Sequence, residues 1–211
     1  MKNALLVTAH PYVKSFNFAL RTQAIELLNK FNWQVNTSDL YQQGFNPILS
    51  PADFPNISTS VPLSLLKQQE IAHQQTLFSH DINSEQSKLL AANLVILQFP
   101  LWWGSYPAIL KGWIERVISR GYGYGSNNLL SGKSVLLSVT TGGANSNEEI
   151  EYYQKKIYQL GVDVFTYAKM EVLKPIINHG PSHSSYKQRQ TMLDSSKQQL
   201  ASMLNTQTSI S

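Results

Sequence analysis

One stretch, residues 93–124, constrains the fold of this chain more than any other part of it. The stretch begins with the apolar run Leu94–Phe99, in which Gln98 is the only polar residue. Such a run is typical of a central parallel strand that is covered on both faces. Pro100 is expected to end the strand. From Pro107 onward, apolar residues recur at helical spacing behind a proline suited to a first turn. The stretch therefore predicts a buried strand that feeds a helix.

The loop between this strand and this helix is aromatic, because it contains Trp102, Trp103 and Tyr106. Parallel sheets present the carboxyl ends of their strands to ligands. An aromatic loop at that place suits a flat ligand that stacks.

The residues from Gln98 to Val117 also resemble a known family. They read Gln-Phe-Pro-Leu-Trp-Trp-Gly-Ser-Tyr-Pro-Ala-Ile-Leu-Lys-Gly-Trp-Ile-Glu-Arg-Val. This closely resembles the flavin-binding segment of the NAD(P)H:quinone oxidoreductases, a flavodoxin-like family that includes mammalian quinone reductase and bacterial relatives. The resemblance implies FAD as cofactor, with FMN as the alternative, and NAD(P)H as co-substrate.

A second segment near the amino terminus fits the same cofactor. The strand Ala4–Ala9, the break at His10-Pro11 and an amphipathic helix over 15–31 form a phosphate-binding arrangement. The amides of Ser15, Phe16 and Asn17 would lie at the helix amino end, where unpaired N–H groups and the macrodipole attract a pyrophosphate. The residues alone leave open whether Ser15 is merely an N-cap. Residues 9–19 are similar to the family's second flavin motif, which implies that His10 also contacts the cofactor.

A third segment is the predicted strand Ser134–Thr140, which ends at Thr141-Gly142-Gly143. Small residues there let backbone amides approach a ring closely. Alone, this is more often a plain turn, but it aligns with the family's Thr-Thr-Gly-Gly isoalloxazine loop. The cofactor-binding residues implied by the three segments together are His10, Ser15, Phe16, Asn17, Pro100, Leu101, Trp102, Trp103, Thr140, Thr141, Gly142 and Gly143.

The catalytic residues of the family are only partly matched. Mammalian members have a tyrosine and a histidine shortly after Thr-Thr-Gly-Gly, but the matching stretch 144–153 has no histidine and its tyrosines are displaced. It stays open whether Tyr152 or Tyr153 replaces them, since a tyrosine at helical spacing is more often half-buried packing. We therefore expect the amides of Gly142 and Gly143 to stabilise the negative charge that develops on the reduced flavin.

The glycine-rich run Arg120–Gly125 resembles a dinucleotide fingerprint, but it follows a predicted helix and lacks the strand-to-helix context that a phosphate loop requires. We interpret it as an aromatic rim. Tyr124 is similar in position to a substrate-gating tyrosine of the family. For Tyr122 two interpretations stay open, a place in the aromatic rim or in an ordinary glycine-rich surface loop. His179 and His183 flank Gly180-Pro181-Ser182, which breaks the spacing of a helical metal pair, so no metal site is expected.

The rest of the chain predicts alternating strands and helices. Helix over 161–165 is implied by the resemblance, although propensity allows a strand there. The resemblance also implies that the insertion 50–80 serves dimer contact and access to the adenine end. The remaining predicted elements are a strand over 33–38, a loop over 50–65, helices over 66–80, 84–92, 107–119 and 148–160, a last strand over 170–177 and a closing helix over 182–203.

Composition limits the possible classes. A chain of 211 residues that is 42% hydrophobic fits a single domain, residues 1–211. Without cysteine it can form no disulfide, thiolate metal site or redox thiol, so electron chemistry depends on a cofactor. We find no signal-peptide pattern and no membrane-spanning run, and we expect a cytoplasmic protein without membrane insertion. The net charge of +4 mildly favours anionic ligands, but no basic block indicates nucleic acid.

These observations predict a flavodoxin-like, doubly wound α/β fold with a five-stranded parallel sheet and helices on both faces. The implied activity is two-electron reduction of quinones or similar acceptors by NAD(P)H, by a ping-pong route. Substrates would stack on Trp102, Trp103 and Tyr106 or Tyr124. A homodimer is expected, because the aromatic loop and the helix over 107–119 offer apolar surface to a second copy.

Two other functions stay open at this point. One is a regulatory flavoprotein subunit of a glutathione-gated potassium efflux system, a role that some relatives have. The other is a flavodoxin-type electron carrier, against which the positive net charge argues.

Overall fold

A parallel sheet forms the centre of the computed structural model, which describes residues 2–55, 64–125 and 127–208. The strand order β2-β1-β3-β4-β5 is that of a flavodoxin-like, doubly wound sheet, and the predicted fold is confirmed. All strand pairs are parallel. The strands are Asn3–Thr8 (β1), Gln34–Asp39 (β2), Leu94–Pro100 (β3), Ser134–Thr141 (β4), Glu171–Val172 (β5) and Ile176–His179 (β6).

Helices cover both faces of the sheet, as the continuous apolar runs of β3 and β4 predict. The α-helices are Phe16–Lys30 (α1), Leu65–Gln75 (α2), His80–Ala91 (α3), Ala108–Val117 (α4), Asn147–Gly161 (α5) and Tyr186–Thr208 (α6). Alternate strand residues pack on opposite sides. Leu97 and Val139 face a core that includes Trp113 of α4, whereas Ile96 and Leu136 face Leu28 of α1 and Leu200 of α6. Within the described ranges, every helix is too short or too polar for a membrane span.

The single last strand predicted over 170–177 is wrong, because it consists of two short strands. Ser134 faces Glu171, whereas Ser138 faces Ile176, so the connection between β5 and β6 contains one more residue than the facing part of β4. This extra residue makes a bulge. Pro175 lies in it, where its missing N–H costs no ladder hydrogen bond.

The helices predicted over 66–80 and 84–92 are also displaced. The first ends at Gln75, where Thr76 takes a left-handed conformation with φ of 56°, and α3 begins at His80. The break lets Phe78 pack on Phe54 in a small separate core with Ala72 and Ile82. In the predicted loop 50–65, a 3₁₀ turn spans Pro51–Asp53, and residues 56–63 lie outside the described residues.

Of three further predicted boundaries, two are confirmed and one is displaced. Pro100 ends β3, as predicted: it pairs with Thr140 as the last residue of the strand, and the amide of Leu101 donates to the Thr140 carbonyl. Residues Val162–Thr166 continue α5 as a π turn, so the helix implied by the family resemblance is confirmed and the strand allowed by propensity is wrong. The closing helix starts at Tyr186, since Pro181–His183 form a separate 3₁₀ turn.

Candidate functional site

The carboxyl ends of β1, β3 and β4 open into a cavity of about 600 Å³. Every residue predicted to bind the cofactor lines this cavity, except Trp103 and Gly143. The lining residues are His10, Lys14, Ser15, Phe16, Asn17, Pro100, Leu101, Trp102, Thr140, Thr141, Gly142, Pro181, Ser182 and Arg189. The fold thus brings the three predicted segments, which lie far apart in sequence, to one place.

A buried polar network forms the floor of the cavity. Gln98 Nε2 donates to Asn17 Oδ1 at 2.8 Å, and Asn17 Nδ2 donates to Thr140 Oγ1 at 3.0 Å. All three side chains are buried. This explains the one polar residue in the apolar run of β3, because Gln98 ties α1 to the ends of two strands. A fully bonded network of this kind holds its members in one arrangement.

The amino end of α1 has unsatisfied hydrogen-bonding groups that face the cavity. Among the described residues, the Ser15 hydroxyl is buried without a hydrogen-bond partner and caps no helix amide. In the described part of the chain, no acceptor is found for the amides of Phe16 and Asn17. The Ser15 amide, predicted to be free, instead donates to the Tyr12 carbonyl, which closes the turn before the helix.

Two cations on the same cavity wall were not identified from the sequence. Lys14 precedes Ser15, and Arg189 lies in the first turn of α6, where its Nη1 donates to the Ser184 carbonyl at 2.7 Å. Lys14 could have been noticed as a basic residue beside the anion-binding turn, whereas nothing local distinguishes Arg189 from other surface arginines. Helix amides, a free hydroxyl and two cations together make an anion site.

The Thr140–Gly143 loop leaves open space above Gly142. In residues 2–55, 64–125 and 127–208, no heavy atom lies within 4 Å of the position that a Gly142 Cβ would take, and the φ of Gly142 is outside the left-handed region. Gly143, at φ of 152°, has a conformation that L side chains rarely adopt. The amide of Gly180 donates to the Thr141 carbonyl at 3.0 Å and supports the loop from behind. A flat ring can therefore approach the backbone of this loop.

His179 lies in a strand, because it is the last residue of β6 and is in register with Thr141. Its Nδ1 lies 2.9 Å from Thr141 Oγ1, and the Tyr153 ring packs on its other side with centroids 5.6 Å apart. Burial lowers the pKa of His179, so the ring is neutral at neutral pH. The histidine thus supports the cofactor loop with a hydrogen bond across two strands.

The aromatic loop is divided between the cavity and the core. Trp102 lines the cavity, and its ring lies 6.3 Å from that of His10. Trp103 is fully exposed at φ of 48°. Tyr106 is buried, packs on Phe99 and donates its hydroxyl to the Leu160 carbonyl at 2.7 Å. The prediction that Tyr106 stacks on a substrate is therefore wrong, because its ring is part of the core.

The two tyrosines of the predicted rim also lie away from the cavity of their own chain. Tyr122 is buried, and its hydroxyl donates to the Gln86 carbonyl. Tyr124 packs on Tyr167, with ring centroids 5.0 Å apart, in an apolar groove of about 400 Å³ that also contains Leu65 and Leu66. A substrate in the cavity of the same chain does not meet Tyr124.

Comparison with known proteins places the chain in a family. A model of the flavodoxin-like fold matches residues 2–204. NAD(P)H dehydrogenase [quinone] 1 of Rattus norvegicus is 35% identical over 95% of this chain and 77% of that protein. Ribosyldihydronicotinamide dehydrogenase [quinone] of Rattus norvegicus is 37% identical over 96% of this chain and 92% of that protein.

The chain belongs to the NAD(P)H:quinone oxidoreductase family. A crystal structure of a Klebsiella pneumoniae protein, proposed to be a quinone reductase, superposes on this NAD(P)H:quinone oxidoreductase family member with a TM-score of 0.88. The two are 30% identical over 96% of this chain and 85% of the other. The family resemblance that begins in short motifs therefore extends over nearly the whole sequence.

Proposed function

We propose that the protein is a single-domain, flavin-dependent NAD(P)H oxidoreductase that reduces quinones or similar acceptors by two electrons, in a ping-pong sequence. The observation that supports this most strongly is the cavity at the ends of β1, β3 and β4, where three separate flavin motifs of the family meet around the Gln98–Asn17–Thr140 network. The two quinone dehydrogenases of rat, to which the chain is similar over most of its length, support the same activity.

The residues at the cavity fit a flavin. The unpartnered Ser15 hydroxyl and the amides of Phe16 and Asn17 would hold its phosphates. The open space above Gly142 accepts a flat ring. FAD is the flavin that the family resemblance implies, and FMN is the alternative. When bound, the flavin supplies two-electron transfer between NAD(P)H and the acceptor.

The protein's part in the chemistry is to place hydrogen-bond donors and to limit access. The amides of Gly142 and Gly143 would stabilise negative charge at the ring edge, because pre-organised donors require no rearrangement during the reaction. His179 holds Thr141, the last residue of β4, from which the chain continues to Gly142 and Gly143. Trp102 closes one side of the cavity and, with the exposed Trp103, offers a stacking surface to NAD(P)H and then to the acceptor.

The apolar groove beside Tyr124 supports a homodimer in which each chain completes the partner's site. Leu65, Leu66 and Tyr167 are exposed there, and Ile114 and Ile118 of the α4 region line the same groove. A second copy that covers this groove would bring Tyr124 toward the other chain's cavity. Sedimentation that finds only monomer at micromolar concentration would contradict this arrangement. A cytoplasmic location, expected from the sequence, stays a prediction.

The purified protein provides the direct test. We expect a yellow protein, release of FAD on denaturation and steady turnover of quinones with NADH or NADPH. A colourless protein that cannot be loaded with either flavin would contradict the proposal. Bound flavin without quinone turnover would instead favour the regulatory or electron-carrier functions. The comparisons with known proteins do not favour either of these two functions.

A further inference from the structure

A positive charge lies against the aromatic loop, the loop whose Trp102 lines the cavity. Lys156 extends from α5 toward Gly104, the residue that follows Trp102 and Trp103. A Cβ at Gly104 would lie only 2.6 Å from Lys156 Nζ and 3.3 Å from its Cε. Any other residue at position 104 would therefore displace the ammonium group. Gly104 also has φ of 71°, so the tight turn and the lysine require glycine for two separate reasons.

No carboxylate neutralises this charge in the described part of the chain. Lys156 forms none of the ion pairs of the structure, and its Nζ instead donates to the Tyr152 hydroxyl at 3.2 Å. The same ammonium lies 5.5 Å from the centroid of the Tyr152 ring. Glu149, about two turns closer to the helix start than Lys156, accepts a hydrogen bond from the Asn145 amide. The ammonium group is thus held in place and keeps the capacity to bind an anion.

The position of Lys156 suits an interaction with a substrate and not with the phosphates of the cofactor. The phosphate site, with Ser15, Lys14 and Arg189, lies at the amino end of α1 and the start of α6. Lys156 contacts the other end of the aromatic loop, next to the fully exposed Trp103. A flat molecule stacked on the indoles of this loop would have Lys156 at its edge.

We propose that Lys156 makes the enzyme select aromatic acceptors that carry a negative charge, such as an ionised ring hydroxyl, a carboxylate or a sulfonate. This inference rests on the proposed function, because it names the acceptor class of the same site. The ring would stack on Trp102 or Trp103, and the anion would pair with the ammonium group. A partly exposed ion pair of this kind changes affinity by roughly fivefold.

Binding of redox-inert probes tests the charge preference without turnover. Naphthalene-2-sulfonate and its neutral analogue naphthalene-2-sulfonamide would be titrated into the flavin-containing protein by calorimetry. We expect Lys156→Gln to weaken sulfonate binding by roughly fivefold and to leave sulfonamide binding unchanged. Lys155→Gln is the matched control, because Lys155 is the exposed neighbour on the same helix and the substitution removes the same net charge.

Turnover gives the second arm. The ratio of kcat/KM for 1,4-naphthoquinone-2-sulfonate to that for 1,4-naphthoquinone should fall by roughly fivefold in Lys156→Gln and stay unchanged in Lys155→Gln. Lys156→Arg keeps the charge and should keep the ratio. The KM ratio of NADPH to NADH should not change, since the anion recognised belongs to the acceptor and not to the nucleotide phosphate.

Several outcomes would overturn the inference. If Lys156→Gln and Lys155→Gln weaken binding of the anionic probe equally, the effect comes from the net charge of the protein and not from Lys156. Equal loss for charged and neutral probes would show that Lys156 merely supports the loop, and a changed NADPH to NADH ratio would assign it to the nucleotide. If the parent reduces no quinone, the proposed function fails, but calorimetry still decides whether Lys156 prefers the anionic probe.

Discussion

Two adjoining regions, one on each side of Gly143, are built in different ways. The first region, here called the cofactor edge, comprises the carboxyl ends of β1, β3 and β4 and the amino end of α1. Hydrogen bonds between distant segments hold it together, as in the buried Gln98–Asn17–Thr140 network. The segment 144–156 after it is a helix start whose Ser146 cap and acidic first turn depend only on neighbouring residues, and most of its side chains are exposed. The family pattern is kept in the first region and lost in the second. Buried networks tolerate few substitutions, whereas an exposed helix start can change its side chains at little cost in stability.

The largest effect is expected from filling the open space at the cofactor edge. Gly142→Leu should abolish flavin binding and leave the fold intact, because the added side chain occupies the ring position without meeting protein atoms. Ala144→Leu, two residues further on, should keep the flavin. Flavin content and thermal unfolding by circular dichroism measure both. If Gly142→Leu keeps a full complement of flavin, the site is misplaced.

Removing the centre of the buried network tests why the cofactor edge resists change. Asn17→Ala leaves Gln98 Nε2 and Thr140 Oγ1 without partners and should lower the free energy of unfolding by about 1–3 kcal/mol. The matched change on the other side, Asn147→Ala at the exposed start of α5, should stay within about 0.5 kcal/mol. Urea denaturation of the flavin-free proteins gives both values. Equal costs would remove the contrast between the two regions.

Acidification should act through two partly buried histidines of the cofactor edge, His10 and His179. Burial lowers the pKa of His10 and of His179, so below the unfolded pKa of 6.5 the unfolded chain binds more protons than the folded one. Stability is therefore fully present above that pH and falls as the pH is lowered. His179→Asn should reduce the loss of unfolding free energy between about pH 7 and pH 5. His183→Asn, the same substitution at an exposed histidine, is the matched control variant.

The smallest effect is expected from the two tyrosines of the segment 144–156, in which the family pattern is lost. Tyr152→Phe and Tyr153→Phe should leave the bleaching of bound flavin by NAD(P)H within about threefold of the parent, well below the ~100-fold loss typical of a removed general acid or base. The larger share of stabilisation should come from Gly142 and Gly143, whose donors contribute roughly 3 kcal/mol each in a pre-organised site. Stopped-flow absorbance decides this. A hundredfold loss in Tyr153→Phe would mean that Tyr153, packed on His179, has taken the family's acid–base role.

Local sequence patterns and family motifs are enough to predict the sheet, its buried strands and the three cofactor segments. The strands over Leu94–Phe99 and Ser134–Thr140 are predicted correctly because an apolar run that ends at a proline or glycine is a local signal. The His10, Ser15–Asn17 and Thr140–Gly142 positions follow from the same local logic together with the family motifs, and the structure brings them to one cavity.

Which side chains face that cavity depends on tertiary packing and could not be predicted from the sequence. Tyr106 lies in an aromatic loop, yet its hydroxyl bonds to Leu160, 54 residues away, and this removes it from the site. His179 joins the cofactor edge through Thr141, 38 residues earlier in the chain. Lys156 meets the aromatic loop at Gly104 for a similar reason, since α5 packs beside β4. Propensity and periodicity act over a few residues, whereas each of these contacts depends on how whole helices pack on the sheet.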